Sequence, residues 1–310
     1  MERYMAVELN SDSMERAGER VSLGVYYRLT KPGIVFANLL GTVAGFLLAM
    51  KGAPFTPDLM VTFFFSLLGI ALVIAGGTTL NNVIDRDIDG YMERTKDRPI
   101  HSGRVSVKTA TFFGLSLAVA GEAVLTFGVH PQAAFLALIG FVVYVIIYTL
   151  WLKRITTLNT VIGGISGAMP TVMGYVAVTG RMDLTAWILF SILFLWQPPH
   201  FLALAMRRHT DYRNACVPML PNVKGFGETK KQIFYYTLSM FPVSLMLYPL
   251  RAVGWLYLIG ALLLGAVYLF KAYQGLYQRG EEEKRWASFM FRYSIIYLTL
   301  LYLLMMIDAA

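Results

Sequence analysis

The polar stretch NNVIDRDIDG, residues 81–90, carries the side chains that a magnesium ion needs. If the apolar helix before it continues, each residue turns by about 100°. Four oxygen-bearing side chains then share one arc of the helix: Asn81, Asn82, Asp85 and Asp89. Asp87 falls on the far side. Mg²⁺ prefers oxygen ligands, usually one or two carboxylates completed by water and substrate phosphates. The spacing therefore predicts a magnesium site, with Asn81, Asp85 and Asp89 as its catalytic groups.

Cations follow this arc directly, at Arg94, Lys96 and Arg98. Fixed cations beside a metal ion can neutralise a diphosphate both when it binds and when it departs. The alternative is that all these residues are solvated at the end of a helix. Their alignment on one face favours the interpretation as a diphosphate site.

A second polar cluster lies at the end of a later apolar run, in WQPPHFLALAMRRHTDYRNACVPMLPNVKG, residues 196–225. Asp211 can supply a second metal-binding, catalytic carboxylate facing the first cluster. Arg207 and Arg208 can hold diphosphate oxygens. His200 follows two prolines, and it is interpreted either as a buried, hydrogen-bonded histidine or as a contact to an acceptor.

Three further residues lie inside apolar runs. Tyr144 and Tyr148 are one helical turn apart and can line the wall of an acceptor pocket, although packing alone also accounts for them. Glu122 is an acid within a membrane segment, which suggests function by default. Pairing with a neighbouring helix is its alternative explanation.

The elements that must position these residues are membrane helices. Apolar residues make up 56% of the chain and charged residues 15%, and a run of ~20 apolar residues spans a bilayer as a helix. Nine such runs are present: 33–50, 60–80, 109–128, 132–151, 159–178, 184–205, 232–249, 253–271 and 293–308. The chain is therefore predicted to be an all-α polytopic membrane protein.

The cations predict its orientation, because Lys and Arg accumulate on the cytoplasmic side of membrane proteins. Only Lys51, Arg181 and Arg251 of the 27 Lys and Arg residues fall in the odd-numbered loops. This bias places the amino terminus and the two polar clusters in the cytoplasm and the carboxyl terminus outside. The short amino-terminal stretch does not resemble a transit peptide, which fits a plasma membrane; an organellar inner membrane is the alternative if the chain is a mature form. It also accounts for the net charge of +8 by contact with membrane lipid rather than with nucleic acid.

The chain divides into a cytoplasmic tail, residues 1–25, and a single transmembrane domain, residues 26–310. The two largest polar loops lie four helices apart, each after an apolar run. Two tandem four-helix units plus a ninth helix would bring these loops together at the mouth of a central cavity, and repeats that meet at one polar site are common in membrane proteins.

At these clusters the chain resembles the intramembrane prenyltransferase superfamily, and within it the haem O synthase (protohaem IX farnesyltransferase) branch. The resemblance rests on NNVIDRDIDGYMERTKDRP, on PPHF, on DYRNACVPMLP with Gly225, and on LTKPGI at residues 29–34. Other branches carry a second Asp-x₃-Asp motif where this chain has Asp211 and Ala215, which favours the haem branch. Cys216 stands where a glycine is expected.

The resemblance implies nine helices around a central cavity, Mg²⁺ as cofactor, and farnesyl diphosphate as donor. It also implies the 2-vinyl group of protohaem IX as acceptor, with addition of water, and an enzyme that oxidises haem O as a possible next partner.

Three other interpretations of the sequence are the alternatives. A quinone-pathway prenyltransferase would share the first motif but would show paired acids in the second. A transporter would place its carboxylates near the bilayer midplane, whereas these clusters lie at the membrane border. A non-catalytic scaffold would have no reason to align Asn81, Asp85 and Asp89.

Overall fold

The computed structural model of the chain describes residues 22–309. The predicted tail, residues 1–25, therefore lies almost entirely outside the described residues. A short helix, α1 (Leu23–Leu29), begins the described part of the chain.

Within residues 22–309 the architecture is all-helical, as predicted. The nine long helices are α2 (Pro32–Met50), α3 (Pro57–Ile84), α5 (Val107–Gly128), α6 (Pro131–Ile155), α7 (Asn159–Thr179), α8 (Leu184–Arg207), α11 (Gly225–Leu245), α12 (Trp255–Gly275) and α13 (Gly280–Ile307). Three short helices lie in the polar loops: α4 (Arg86–Asp89), α9 (His209–Asn214) and α10 (Leu220–Val223).

Eight of the nine long helices in the described part are long and apolar enough to cross a membrane, and α11 is the exception. Helix α11 begins seven residues before the predicted run, so its first turns carry Glu228, Lys230 and Lys231. Helix α13 begins thirteen residues before the predicted run and adds three glutamates in its first turn. These charged ends lengthen helices that the apolar pattern locates correctly. The chain is a multi-pass membrane protein.

The two tandem four-helix units are present, one from α2 to α6 and the other from α7 to α12. Their first helices, α2 and α7, pack directly against each other, and α13 returns to α2 and α8. Helices α7 and α8 are the most buried of the membrane helices. They form the centre of the bundle.

Glycines bring α2 and α7 into close contact. A methyl group placed on Gly45 would lie 2.0 Å from the backbone oxygen of Thr171, and one on Gly174 would lie 2.1 Å from that of Thr42. Small residues allow this kind of backbone approach between membrane helices. The contact joins the two units.

Helix α6 changes its winding before it ends. Val143–Leu152 form a π-helix, and the Thr149 hydroxyl donates a hydrogen bond to the backbone oxygen of Tyr144, five residues earlier, at 2.8 Å. π-Helical turns are rare and occur often at functional sites. The wider turn changes which side chains at the end of α6 face the centre of the bundle.

The two polar loops meet at one end of the bundle. Ile88 and Met92, after α3, pack in one apolar cluster with residues that follow α8, among them Ala215, Val217 and Met219. The predicted convergence of the loops is confirmed. Lys51 follows α2, and Arg251 lies between α11 and α12. The backbone N–H of Gly254 donates to the backbone oxygen of Asp308, near the carboxyl terminus, at 2.8 Å.

Candidate active site

A cavity of about 560 Å³ opens between the helices at the loop end of the bundle. Charged and amide side chains line its mouth, whereas its deeper walls are mostly apolar and include Val73, Ala137, Met173 and Leu193. Ligand sites in proteins typically have such volumes and such a combination of apolar walls with few polar groups.

The first motif is wound differently from the prediction. Helix α3 does not continue through it but ends at Ile84, with Asp85 in a turn (φ −80°, ψ −1°) before the short helix α4. The assumption of one continuous helix is therefore wrong. The four predicted oxygen-bearing residues are nevertheless all buried, each at most 4% exposed. Asp87 lies outside the group, as predicted, and pairs with Arg154 at 2.6 Å.

Asp85 is the acid that lines the cavity. Its Oδ2 accepts hydrogen bonds from Lys153 Nζ at 2.5 Å and from Asn81 Nδ2 at 2.9 Å. Its Oδ1 is buried and has no hydrogen-bond partner among the described residues. Because a buried carboxylate oxygen is costly to leave unpaired, this atom is the best candidate in the site to bind a metal ion.

Asn81 also lines the cavity and is fixed from three sides. Its amide nitrogen donates to Asp85 and, at 3.1 Å, to the hydroxyl of Thr149, while its oxygen accepts from Lys31 Nζ. The π-helix of α6 thus holds the first motif in place through Thr149.

Asp89 and Asn82 lie outside the lining of the cavity, unlike Asn81 and Asp85. Both oxygens of Asp89 accept from Arg98 Nη1, at 2.8 and 3.0 Å. Burial raises the pKa of Asp89, and the Arg98 charge opposes that shift. The Asn82 amide donates to the backbone oxygen of Leu29 at 2.9 Å.

Two lysines at the mouth of the cavity were missed in the sequence. Lys153 lies in the last turn of α6, and the charge bias of the loops alone is enough to account for a lysine there. Lys31 precedes Pro32 and has a left-handed backbone, with φ 48°, a conformation that costs free energy for a residue with a side chain. Burial, and then the nearby Arg98, lower the pKa of the Lys31 ammonium. The LTKPGI segment contained Lys31, but no local signal in the sequence directs Lys153 inward.

The predicted diphosphate-binding cations separate into two sets. Arg94 and Arg98 line the cavity. Lys96 lies outside it and pairs with Glu93 at 2.6 Å on the surface. Arg207 and Arg208 are also outside the lining, with the Arg207 guanidinium 4.8 Å from the ring centre of Phe291.

Asp211 lies next to the cavity rather than on its lining. Its Oδ2 is buried without a hydrogen-bond partner in residues 22–309, and Arg208 Nη1 is 3.8 Å away. The neighbouring Tyr212 does line the cavity, and Arg94 lies 5.9 Å from the centre of its ring.

The three predicted acceptor-pocket residues all line the cavity. The rings of Tyr144 and Tyr148 stack with centres 6.0 Å apart. The His200 ring stacks on Trp196, with centres 4.6 Å apart, and its Nδ1 lies 2.7 Å from the hydroxyl of Ser294. Glu122 is outside the lining, and its Oε1 has no partner among the described residues.

The donor atoms fit a magnesium ion that binds together with a diphosphate. No group of three or more His, Cys, Asp or Glu side chains able to hold a metal is found in residues 22–309. Mg²⁺ usually takes one or two carboxylates and completes its shell with water and phosphate oxygens. The free Oδ1 of Asp85 beside four cations matches that pattern.

Comparison with known proteins agrees with this geometry. Residues 38–295 match the UbiA prenyltransferase family. A protoheme IX farnesyltransferase of Alkalihalophilus pseudofirmus is 48% identical over 303 residues, which cover 97% of this chain and 95% of that protein. One from Gloeobacter violaceus is 46% identical over 297 residues, 95% of each chain.

Solved structures share the fold. A digeranylgeranylglyceryl phosphate synthase superposes with a TM-score of 0.77 at 20% identity, over 92% of this chain and 98% of that one. A UbiA homolog from Archaeoglobus fulgidus, bound to GPP and Mg²⁺, superposes with a TM-score of 0.67 at 14% identity, over 90% of this chain and 99% of that one.

Proposed function

Because this chain belongs to the UbiA prenyltransferase family, we propose that it transfers a farnesyl group from farnesyl diphosphate to the 2-vinyl group of protohaem IX. Water adds in the same reaction, and the product is haem O. The observation that carries this assignment is the identity of 43–48%, over nearly the whole chain, to relatives that are protoheme IX farnesyltransferases. These relatives favour haem over an aromatic quinone precursor as acceptor, and an enzyme over a transporter.

The mouth of the cavity binds the diphosphate. Asp85 and Asn81 provide the oxygen atoms that hold Mg²⁺, and Asp211 is proposed to supply the second carboxylate from the opposite loop. When bound, Mg²⁺ neutralises charge on the diphosphate and so assists its departure. Lys31, Lys153, Arg94 and Arg98 bind the remaining phosphate oxygens, because all four line the same mouth.

Asp89 and Asn82 support the site from behind. Asp89 holds Arg98 by both its oxygens, and Asn82 ties the end of α3 to α1 through Leu29. We therefore assign Asp89 chiefly to orienting Arg98, whereas the sequence alone placed it on the metal. Lys96, Arg207 and Arg208 have no assigned contact with the diphosphate.

The apolar part of the cavity holds the farnesyl chain. The allylic carbon–oxygen bond breaks, and its electron pair leaves with the diphosphate, which the cations stabilise. The vinyl group of the acceptor attacks the allylic cation. Water then adds to the new carbocation and releases a proton. The deep apolar walls exclude other water and so limit loss of the farnesyl cation to hydrolysis.

The proposed location is the plasma membrane, with the polar loops and amino terminus in the cytoplasm and the carboxyl terminus outside. The charge bias of the loops supports this orientation. A membrane enzyme that oxidises haem O is the proposed next partner, since the apolar product stays in the bilayer.

The test is an assay of the full-length protein with farnesyl diphosphate, Mg²⁺ and protohaem, followed by mass spectrometry of the haem. The expected product gains the mass of farnesyl plus hydroxyl. Asp85→Asn should abolish it, since the substitution removes the charge but keeps the size. Asp87→Asn is the matched control, because that acid is exposed and outside the cavity. Turnover with an aromatic quinone precursor and none with haem would refute the proposed acceptor.

A further inference from the structure

His200 lines the cavity from α8, close to α13. Its role in the proposed reaction is undefined, since no step of farnesyl transfer needs a histidine. Around it, however, the two helices fix both the position of its ring and the tautomer of the neutral imidazole.

The hydrogen bonds of Ser294 determine which ring nitrogen carries the proton. A hydroxyl group has one hydrogen to donate, and the Ser294 hydroxyl donates it to the backbone oxygen of Phe291 at 2.6 Å, which can only accept. The hydroxyl must therefore accept from His200 Nδ1, at 2.7 Å. In the neutral ring Nδ1 then carries the hydrogen, and Nε2 keeps its lone pair.

The orientation of the ring is also fixed. It stacks on Trp196 at an angle of 21° and lies against Phe291, with ring centres 4.7 Å apart. Trp196 is itself held by a hydrogen bond from its Nε1 to the backbone oxygen of Ser294, at 2.8 Å. Within residues 22–309, Nε2 of His200 has no hydrogen-bond partner, and it is not a fully buried atom.

An oriented imidazole with Nδ1 hydrogen-bonded and Nε2 free is the arrangement in which histidine binds metals. We propose that His200 coordinates the iron of the acceptor haem through Nε2 and thereby positions the porphyrin in the cavity. This inference rests on the proposed function, which supplies a haem as substrate. No electron transfer is involved, because the nitrogen lone pair simply occupies an axial position on the iron.

The experiment is a titration of ferric protohaem into the full-length protein in lipid nanodiscs, without farnesyl diphosphate. Absorption and electron paramagnetic resonance spectra should report a histidine-ligated iron. In His200→Ala that signature should disappear, affinity for haem should fall by at least about tenfold, and added imidazole should restore the signature. His209→Ala is the matched control, since it removes another histidine beside α8 without altering the cavity lining. Its spectrum should equal that of the unmodified protein.

Metal-free protoporphyrin IX separates ligation from packing. It should bind the unmodified protein and His200→Ala with equal affinity, because without iron it cannot form the bond to Nε2 that the substitution removes. An equal fall in affinity for both porphyrins would refute the inference and make His200 a packing residue. So would an unchanged haem spectrum in His200→Ala.

The product assay distinguishes this inference from the proposed function. Haem O formation together with an unaltered His200→Ala spectrum would refute the iron contact alone. A histidine-ligated haem that is never farnesylated would refute the reaction alone.

Discussion

Asp85 meets a lysine from another helix, and that pairing defines the mouth of the cavity. Lys153 and Arg154 are adjacent cations at the end of α6, but only Lys153 reaches Asp85, whereas Arg154 pairs with the exposed Asp87. The two residues therefore provide a matched test of whether charge at the cavity, rather than charge near the membrane, supports binding of the donor.

Lys153→Gln should weaken use of farnesyl diphosphate by about 10–100-fold in kcat/KM, because a hydrogen bond between charged groups contributes about 1.5–3 kcal/mol. Arg154→Gln should change kcat/KM by less than about fivefold, since an exposed ion pair contributes at most about 1 kcal/mol. Steady-state kinetics with varied farnesyl diphosphate would measure both. Equal losses in the two variants would contradict a specific role for Lys153.

Cys216 occupies a position that suits glycine. The resemblance to haem O synthases led us to expect glycine there, and the backbone at Cys216 has φ 52°, in the left-handed region. A residue with a Cβ atom pays roughly 1 kcal/mol for that conformation. The loop thus keeps the shape that a glycine would give it, at a cost in stability.

Cys216→Gly should therefore raise the midpoint of thermal unfolding by a few degrees relative to Cys216→Ala, which keeps the Cβ atom but removes the thiol. Circular dichroism of the purified protein in detergent would measure both. A lower midpoint for the glycine variant would mean that unfolded-chain entropy outweighs the relief of strain.

At the scale of the helices, the apolar pattern predicted where the helices lie but not how each one is wound. The apolar runs located all nine long helices of the described part, and the spacing of Asn81 and Asp85 correctly brought the two side chains together, where both line the cavity. Lys153 was not identified from the sequence because the direction of a side chain near the end of α6 depends on the phase of the helix. Ten residues of π-helix shift that phase, and nothing in VYVIIYTLWL marks the change. Lys31 was missed because the residue before a proline is normally extended, whereas Lys31 has a left-handed backbone, which the sequence does not predict.

The close contact of α2 and α7 gives a stability prediction. Gly45→Ala should lower the free energy of unfolding by about 1–3 kcal/mol, because the new methyl group would meet a backbone oxygen that cannot move alone. Gly227→Ala is the control, since that glycine is helical and has nothing within 4 Å of an added methyl group; it should be neutral or stabilising by up to about 1 kcal/mol.

Thermal unfolding of both variants in the same detergent would measure this difference. Equal midpoints for Gly45→Ala and Gly227→Ala would show that the two units can move apart without cost.

At the scale of the whole molecule, the depth of the cavity is set where the two units and α13 meet. Met173 lies fourteen residues into α7, roughly 20 Å from its start at the loop end, and it lines the cavity. Nearby, the hydroxyls of Thr171 and Tyr302 are hydrogen-bonded at 2.7 Å. No motif in the sequence could give this depth, because it depends on how helices from both units pack.

Met173→Trp should shift the preference of the enzyme toward geranyl diphosphate, by about tenfold in the ratio of kcat/KM values, because the larger ring shortens the cavity. Met173→Ala should favour geranylgeranyl diphosphate. Competition assays with the three donors would measure the ratios. Met246→Trp is the control, since that methionine is 46% exposed and outside the cavity. Unchanged ratios in both Met173 variants would place the end of the farnesyl chain elsewhere.

The lysine on Asp85 also has a consequence for the order of events. Lys153 already supplies positive charge to one oxygen of this carboxylate, and the other oxygen is the one available to a metal ion. Mg²⁺ bound there alone would lie in a cavity lined by Lys31, Lys153, Arg94 and Arg98, whereas a diphosphate brings the negative charge that offsets these cations. We therefore expect metal and donor to enter together, so that neither the cation nor the isoprenoid is held for long without the other.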